Sequence, residues 1–94
     1  MNVLIIEDER HAAEKLKRLL DATDPQINIL EVLESVYKSI DWLIAHPAPD
    51  LIFMDIQLDD GICFEIFDSI KIQTPIIFTT AFDEYALKAF KVNS

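Results

Sequence analysis

Glu7 and Asp8 follow the apolar run Val3-Leu4-Ile5-Ile6, and Asp55 follows a second run, Leu51-Ile52-Phe53-Met54. A third run, Ile76-Ile77-Phe78-Thr79, is closed by the hydroxyl residue Thr80. If each run is a strand of a parallel sheet, these side chains gather outside its carboxyl edge, where open α/β sheets bind ligands. Two carboxylates 4 Å apart repel by about 4 kcal/mol at an effective dielectric near 20, so such a cluster calls for a cation or a proton. Mg²⁺ suits it, since that ion takes oxygen ligands and typically uses one or two carboxylates plus phosphate oxygens. Gln57, two residues after Asp55, can add its backbone carbonyl. Asp55 is also a candidate nucleophile, because a carboxylate can accept a phosphoryl group. Metal charge would neutralise the transferring group, and the Thr80 hydroxyl would donate to one of its oxygens.

The intervening segments must hold these residues in place. From Arg10 to Ala22 the positions Ala13, Leu16, Leu19 and Leu20 recur at three- and four-residue spacing, which predicts an amphipathic helix that ends before Pro25. The Ile27/Ile29 alternation and Leu30 to Leu33 predict a second strand. Ser35 is the expected N-cap of a second helix with Val36, Ile40, Leu43 and Ile44 on one face, and His46-Pro47-Ala48-Pro49 ends it. Asp55 to Gly61 reads as a polar loop, and Cys63, Ile66, Phe67 and Ile70 mark a third buried helical face. After the strand Ile76 to Thr80, Asp83 can cap a fourth helix carrying Leu87 and Phe90. The expected order is βαβαβαβα, which implies right-handed crossovers and a doubly wound parallel sheet with helices on both faces.

Composition bounds the function classes. Ninety-four residues, 51% of them hydrophobic and only one a glycine, make one small domain with enough material for a core. The formal charge of −9 opposes contact with phosphate backbones and anionic lipid, so neither nucleic acid nor membrane is an expected partner of this segment. The lone Cys63 excludes an intramolecular disulfide and fits a reducing, cytoplasmic setting.

Competing readings of single residues are weighed by position. Acids at strand ends are often helix caps, and Thr80 alone is an ordinary β-branched strand residue; the combination with Glu7, Asp8 and Asp55 gives each its weight. A calcium loop starting at Asp55 would want Gly at its sixth position and Glu at its twelfth, but Asp60 and Ile66 stand there. A nucleotide cradle would want glycines after the first strand, where Glu7, Asp8 and Glu9 stand instead. His11 and His46 read as solvated, Cys63 as a small hydrophobe, and Tyr37 and Trp42 as surface cover beside the second helix. Tyr85 reads equally as packing residue or partner contact.

The three motifs together resemble the receiver domain of bacterial two-component response regulators. Leu4-Ile5-Ile6-Glu7-Asp8-Glu9 looks like the family's first strand and acid pair, Asp50 to Ile56 like its phosphoacceptor strand, and Pro75 to Ala81 like its switch strand. The segment Ala81 to Phe90 is similar to receivers of the LytTR-type (LytR/AlgR-like) subgroup. The resemblance spans residues 1–94 and implies a flavodoxin-like (CheY-like) sheet lacking the fifth βα unit, so that the chain is expected to be a C-terminally incomplete receiver without a second domain. It implies Asp55 as phosphoacceptor, Glu7, Asp8 and Asp55 with the Gln57 carbonyl as Mg²⁺ ligands, and Thr80 as switch hydroxyl. A sensor histidine kinase would be the partner and a DNA-binding domain the output; the domain would be a regulatory phosphoacceptor and not an enzyme. Asp59 stands where the family usually has proline, and the family's lysine would lie past Ser94. Without that lysine, a module that only dimerises, by homodimer contact or strand exchange, is the alternative.

Overall fold

The computed structural model describes residues 1–79. Thr80 and the helix expected after Asp83 lie outside the described residues. Along the chain come β1 (Asn2–Ile6), α1 (Arg10–Thr23), β2 (Asn28–Leu33), α2 (Val36–Ala45), β3 (Leu51–Met54), β4 (Gln57–Leu58), β5 (Gly61–Ile62), α3 (Phe64–Ser69) and β6 (Ile76–Phe78). Four strands form one parallel sheet in the order β2-β1-β3-β6, while β4 and β5 make a separate antiparallel pair.

The order follows from burial. Val3, Leu4, Ile5 and Ile6 have no exposed surface, as a central parallel strand covered on both faces requires. Alternation then divides them. Leu4, Ile6, Ile52 and Met54 join Val36 of α2 and Ile66 of α3 in one core, and α2 packs against α3 on that face. Removing a single methyl there, by Ile52→Val, should lower stability by about 1 kcal/mol. The midpoint of thermal unfolding should fall by about 4–8 °C.

The helices form for local reasons that their ends display. Glu9 caps α1 by accepting the amides of His11 (3.1 Å) and Ala12 (2.6 Å), and Asp24, ahead of Pro25, closes it by donating to the Leu20 carbonyl (3.0 Å). Ser35 caps α2 as expected, accepting from the Lys38 amide at 3.0 Å. Among the described residues no helix is long and apolar enough to cross a membrane.

Several expectations need correction. Leu19 is 55% exposed and Ile44 69% exposed, although the apolar spacing predicts a buried face for both. Adjacent helical residues point about 100° apart. Leu20 and Leu43 are the members of the Leu19/Leu20 and Leu43/Ile44 pairs that turn inward, so their neighbours turn out. The second helix fills the gap with Ser39, fully buried and donating its hydroxyl to the Ser35 carbonyl at 2.7 Å. Trp42 is not simple surface cover: it is half-buried against the core and stacks on His46 with ring centroids 4.3 Å apart. The third helix begins only at Phe64, because the chain spends Gln57 to Ile62 on the β4–β5 hairpin.

Candidate metal centre

In a 2-1-3 strand order the connections from β1 and β3 diverge to opposite faces of the sheet, and the crevice at that switch point is where such folds bind ligands. Register fixes which side chains reach it. Ile6 pairs with Met54, so the next residues on the two strands, Glu7 and Asp55, emerge side by side. The backbone anchors both: the Asp55 amide donates to the Ile6 carbonyl and the Glu7 amide to the Leu33 carbonyl, each at 2.8 Å.

One carboxylate oxygen from each of Glu7, Asp8 and Asp55 lies within 4.8 Å of the others. Glu7 and Asp55 are half-buried and Asp8 is exposed, so the cluster opens to solvent on one side. A cavity of about 130 Å³ beside it is lined by Glu7, Asp8, Arg10, Ala13, Glu14, Val32 and Glu34. Burial pushes the Glu7 carboxyl up to about 7 against the pull of the Glu9 amide, and the hydrogen bond and charge of Asp55 and the charge of Asp8 push the same way. A carboxyl held that high reports burial first, with the neighbouring negative charges adding to it. The donor set is all oxygen, anionic and open on one face, which fits a hard divalent cation such as Mg²⁺ with water or phosphate completing its shell.

Asp55 accepts the Ile56 amide on its Oδ1 at 2.8 Å, which fixes the carboxylate's rotation. Gln57 lies on β4, exposed and paired with Ile62. The Ile56 carbonyl is committed to the Cys63 amide at 2.7 Å, so it is not free to serve in place of that of Gln57. Beneath the loop, Cys63 is fully buried; burial and then the Asp55 charge push its thiol up to about 12, which keeps it neutral and inert. The Thr79 amide donates to the Met54 carbonyl at 3.0 Å, carrying the sheet to the level of Asp55; Thr80 follows outside the described residues.

Sequence reasoning missed Asp60. Its carboxylate accepts the amides of Val36 at 2.6 Å and Tyr37 at 3.1 Å, so the loop after Asp55 caps α2 from 24 residues away. Those bonds hold the Asp60 carboxyl below the usual range, the Val36 amide contributing most and burial opposing. The sequence carried one faint signal, an acid just before the only glycine in a polar turn.

The profile of the response regulator receiver domain matches residues 3–94. Curated relatives include the sensory transduction protein LytT of Bacillus anthracis, 38% identical over 97 residues covering all of this chain and 39% of that protein. LytT of Bacillus subtilis is 37% identical with the same coverage, and the transcriptional regulatory protein BtsR of Salmonella typhi is 35% identical over 97% of this chain and 38% of its own. The chain thus spans about two fifths of the length of these relatives. Among solved structures, a two-component response regulator from Clostridium difficile superposes with a TM-score of 0.80 at 24% identity, covering all of this chain and 78% of that one. The MaeR response regulator bound to beryllium trifluoride gives 0.76 at 21% identity, covering 99% and 77%.

Proposed function

Because the chain belongs to the response regulator receiver family and has its CheY-like fold, we propose that Asp55 accepts one phosphoryl group from a partner sensor histidine kinase and that the domain relays this state to an output. The observation that carries the reading is the convergence of Glu7, Asp8 and Asp55 oxygens within 4.8 Å at the β1/β3 switch point. An Asp55 carboxylate oxygen forms the new bond to phosphorus as the bond from phosphorus to the donor's imidazole nitrogen breaks, and the electron pair leaves with that nitrogen. Glu7, Asp8, Asp55 and the Gln57 carbonyl would hold Mg²⁺. When bound, the ion supplies positive charge against the equatorial phosphoryl oxygens.

The chain's own residues do the positioning. The Ile56 amide fixes one Asp55 oxygen, leaving the other for attack. Glu7 and Asp8 stand beside Asp55 as the acids that call for the cation. The Thr80 hydroxyl would donate to a phosphoryl oxygen, drawing the segment after β6 toward Asp55. The names of the relatives, a sensory transduction protein and a transcriptional regulatory protein, support control of a DNA-binding output. The result is a regulatory phosphoacceptor that promotes only its own modification.

Incubation with Mg²⁺ and a small acyl phosphate tests this. Intact mass should rise by one phosphoryl group, and a chelator should prevent the rise. No gain with Mg²⁺ present overturns the reading.

A further inference from the structure

We propose that Asp60 is a positioning residue for the metal centre, clamping the loop that follows Asp55 to the first turn of α2. The inference rests on the reading of Asp55 and its neighbours as a Mg²⁺-dependent phosphoacceptor site.

The loop has two differently held halves. Its inner half is anchored by burial and backbone bonds: Ile56 is fully buried, Leu58 is 3% exposed, and the Cys63 amide donates to the Ile56 carbonyl. Its outer half, the β4–β5 turn, has only the Gln57–Ile62 and Leu58–Gly61 pairs of its own. A two-stranded hairpin of that length is not stable alone in water. On one side Glu65 of α3 accepts the Ile62 amide at 2.9 Å. On the other, the Asp59 amide makes a long bond of 3.3 Å to the Glu34 carbonyl, and Asp60 makes the two short ones to Val36 and Tyr37. Together with Ser35, Asp60 satisfies the first three amides of α2, the groups a helix start leaves without partners. An ionised acceptor at a helix N-terminus is held by charge as well as by hydrogen bonds.

The consequence reaches the metal because the hairpin carries Gln57, the one expected ligand that does not directly follow β1 or β3. Its carbonyl can only be placed as well as the hairpin is placed. Outer partners that orient metal ligands commonly matter 10- to 100-fold in affinity. Asp60 fills that role through backbone, with no contact to the metal itself.

The experiment compares Asp60→Ala, Asp60→Asn and Ser35→Ala in the full chain, reading the Mg²⁺ dissociation constant by titration calorimetry beside the melting temperature. Asp60→Ala and Asp60→Asn change charge identically, so a difference between them isolates the acceptor oxygen. Ser35→Ala removes the other cap of the same helix without touching the loop. Asp60→Ala should weaken Mg²⁺ binding roughly tenfold, Asp60→Asn should restore at least part of that loss, and Ser35→Ala should lower the melting temperature while leaving Mg²⁺ affinity unchanged. Should Asp60→Ala fail to fold, Asp60→Gly serves in its place. Wild-type affinity in Asp60→Ala, or an equal loss in Ser35→Ala, overturns the inference. A wild-type chain that neither binds Mg²⁺ nor gains a phosphoryl group instead fails the underlying reading, and the role of Asp60 falls with it.

Discussion

An Asp55→Asn protein should gain no phosphoryl group under conditions where the wild-type chain gains one, the largest effect any single substitution here is expected to have. The change is nearly isosteric: an asparagine oxygen still accepts the Ile56 amide that Asp55 now holds at 2.8 Å. What disappears is the anionic oxygen that attacks phosphorus, since a neutral amide is a poor nucleophile toward a phosphoryl group. Fold and chemistry therefore separate cleanly, and the variant should unfold no earlier than wild type. It should unfold later without metal, because one of three crowded charges is gone. Intact mass after treatment with acyl phosphate and Mg²⁺ checks the first outcome, and a thermal melt in chelator the second. Undiminished incorporation would move the phosphoacceptor elsewhere.

Much of this was legible in the sequence because a parallel sheet encodes its edge directly. An unbroken run such as Val3 to Ile6 must be buried on both faces, so the first polar residue after it must stand at the sheet's rim. Two such runs, with Glu7, Asp8 and Asp55 behind them, were enough to place three acids at one end of the molecule. Adjacency was not legible. It comes from β1 and β3 being neighbours in register, a fact of strand order that neither run contains.

Residues that act across large sequence separations were invisible for the same reason. Asp60 looks like any acid in a turn until Val36 and Tyr37 are brought to it, and the pairs that make β4 and β5 strands are too short for a two-residue period to show. Helix faces failed by a smaller margin. Leu19/Leu20 and Leu43/Ile44 each offer two apolar residues about 100° apart, and only packing decides which one turns inward. Ser39 shows the converse: a hydroxyl can occupy a core position when the helix's own carbonyl at Ser35 satisfies it.

The acid cluster makes a second strong prediction, in which affinity and stability move in opposite directions. The double substitution Glu7→Gln and Asp8→Asn should weaken Mg²⁺ binding by roughly 100-fold or more, since direct ligands matter at least as much as their outer partners. The same protein should be more stable than wild type when metal is absent. Glu7 is held up to about 7 in the folded state against 4.5 ordinarily. Between those two values the folded chain binds more protons than the unfolded one, so stability attributable to this group falls as pH rises through the window and is lowest above about 7. Glu7 is only half-buried, and solvent screening reduces the effect to roughly 1 kcal/mol. In chelator, wild-type melting temperature should therefore drop between pH 5 and pH 8 by more than that of the double variant. Adding Mg²⁺ at pH 8 to about a hundred times its dissociation constant should recover about 2.7 kcal/mol in wild type and little in the variant. A variant that keeps the full Mg²⁺ increment would show that the cation binds away from Glu7 and Asp8, and one that melts earlier than wild type in chelator at pH 8 would show that the acids are held by partners other than each other.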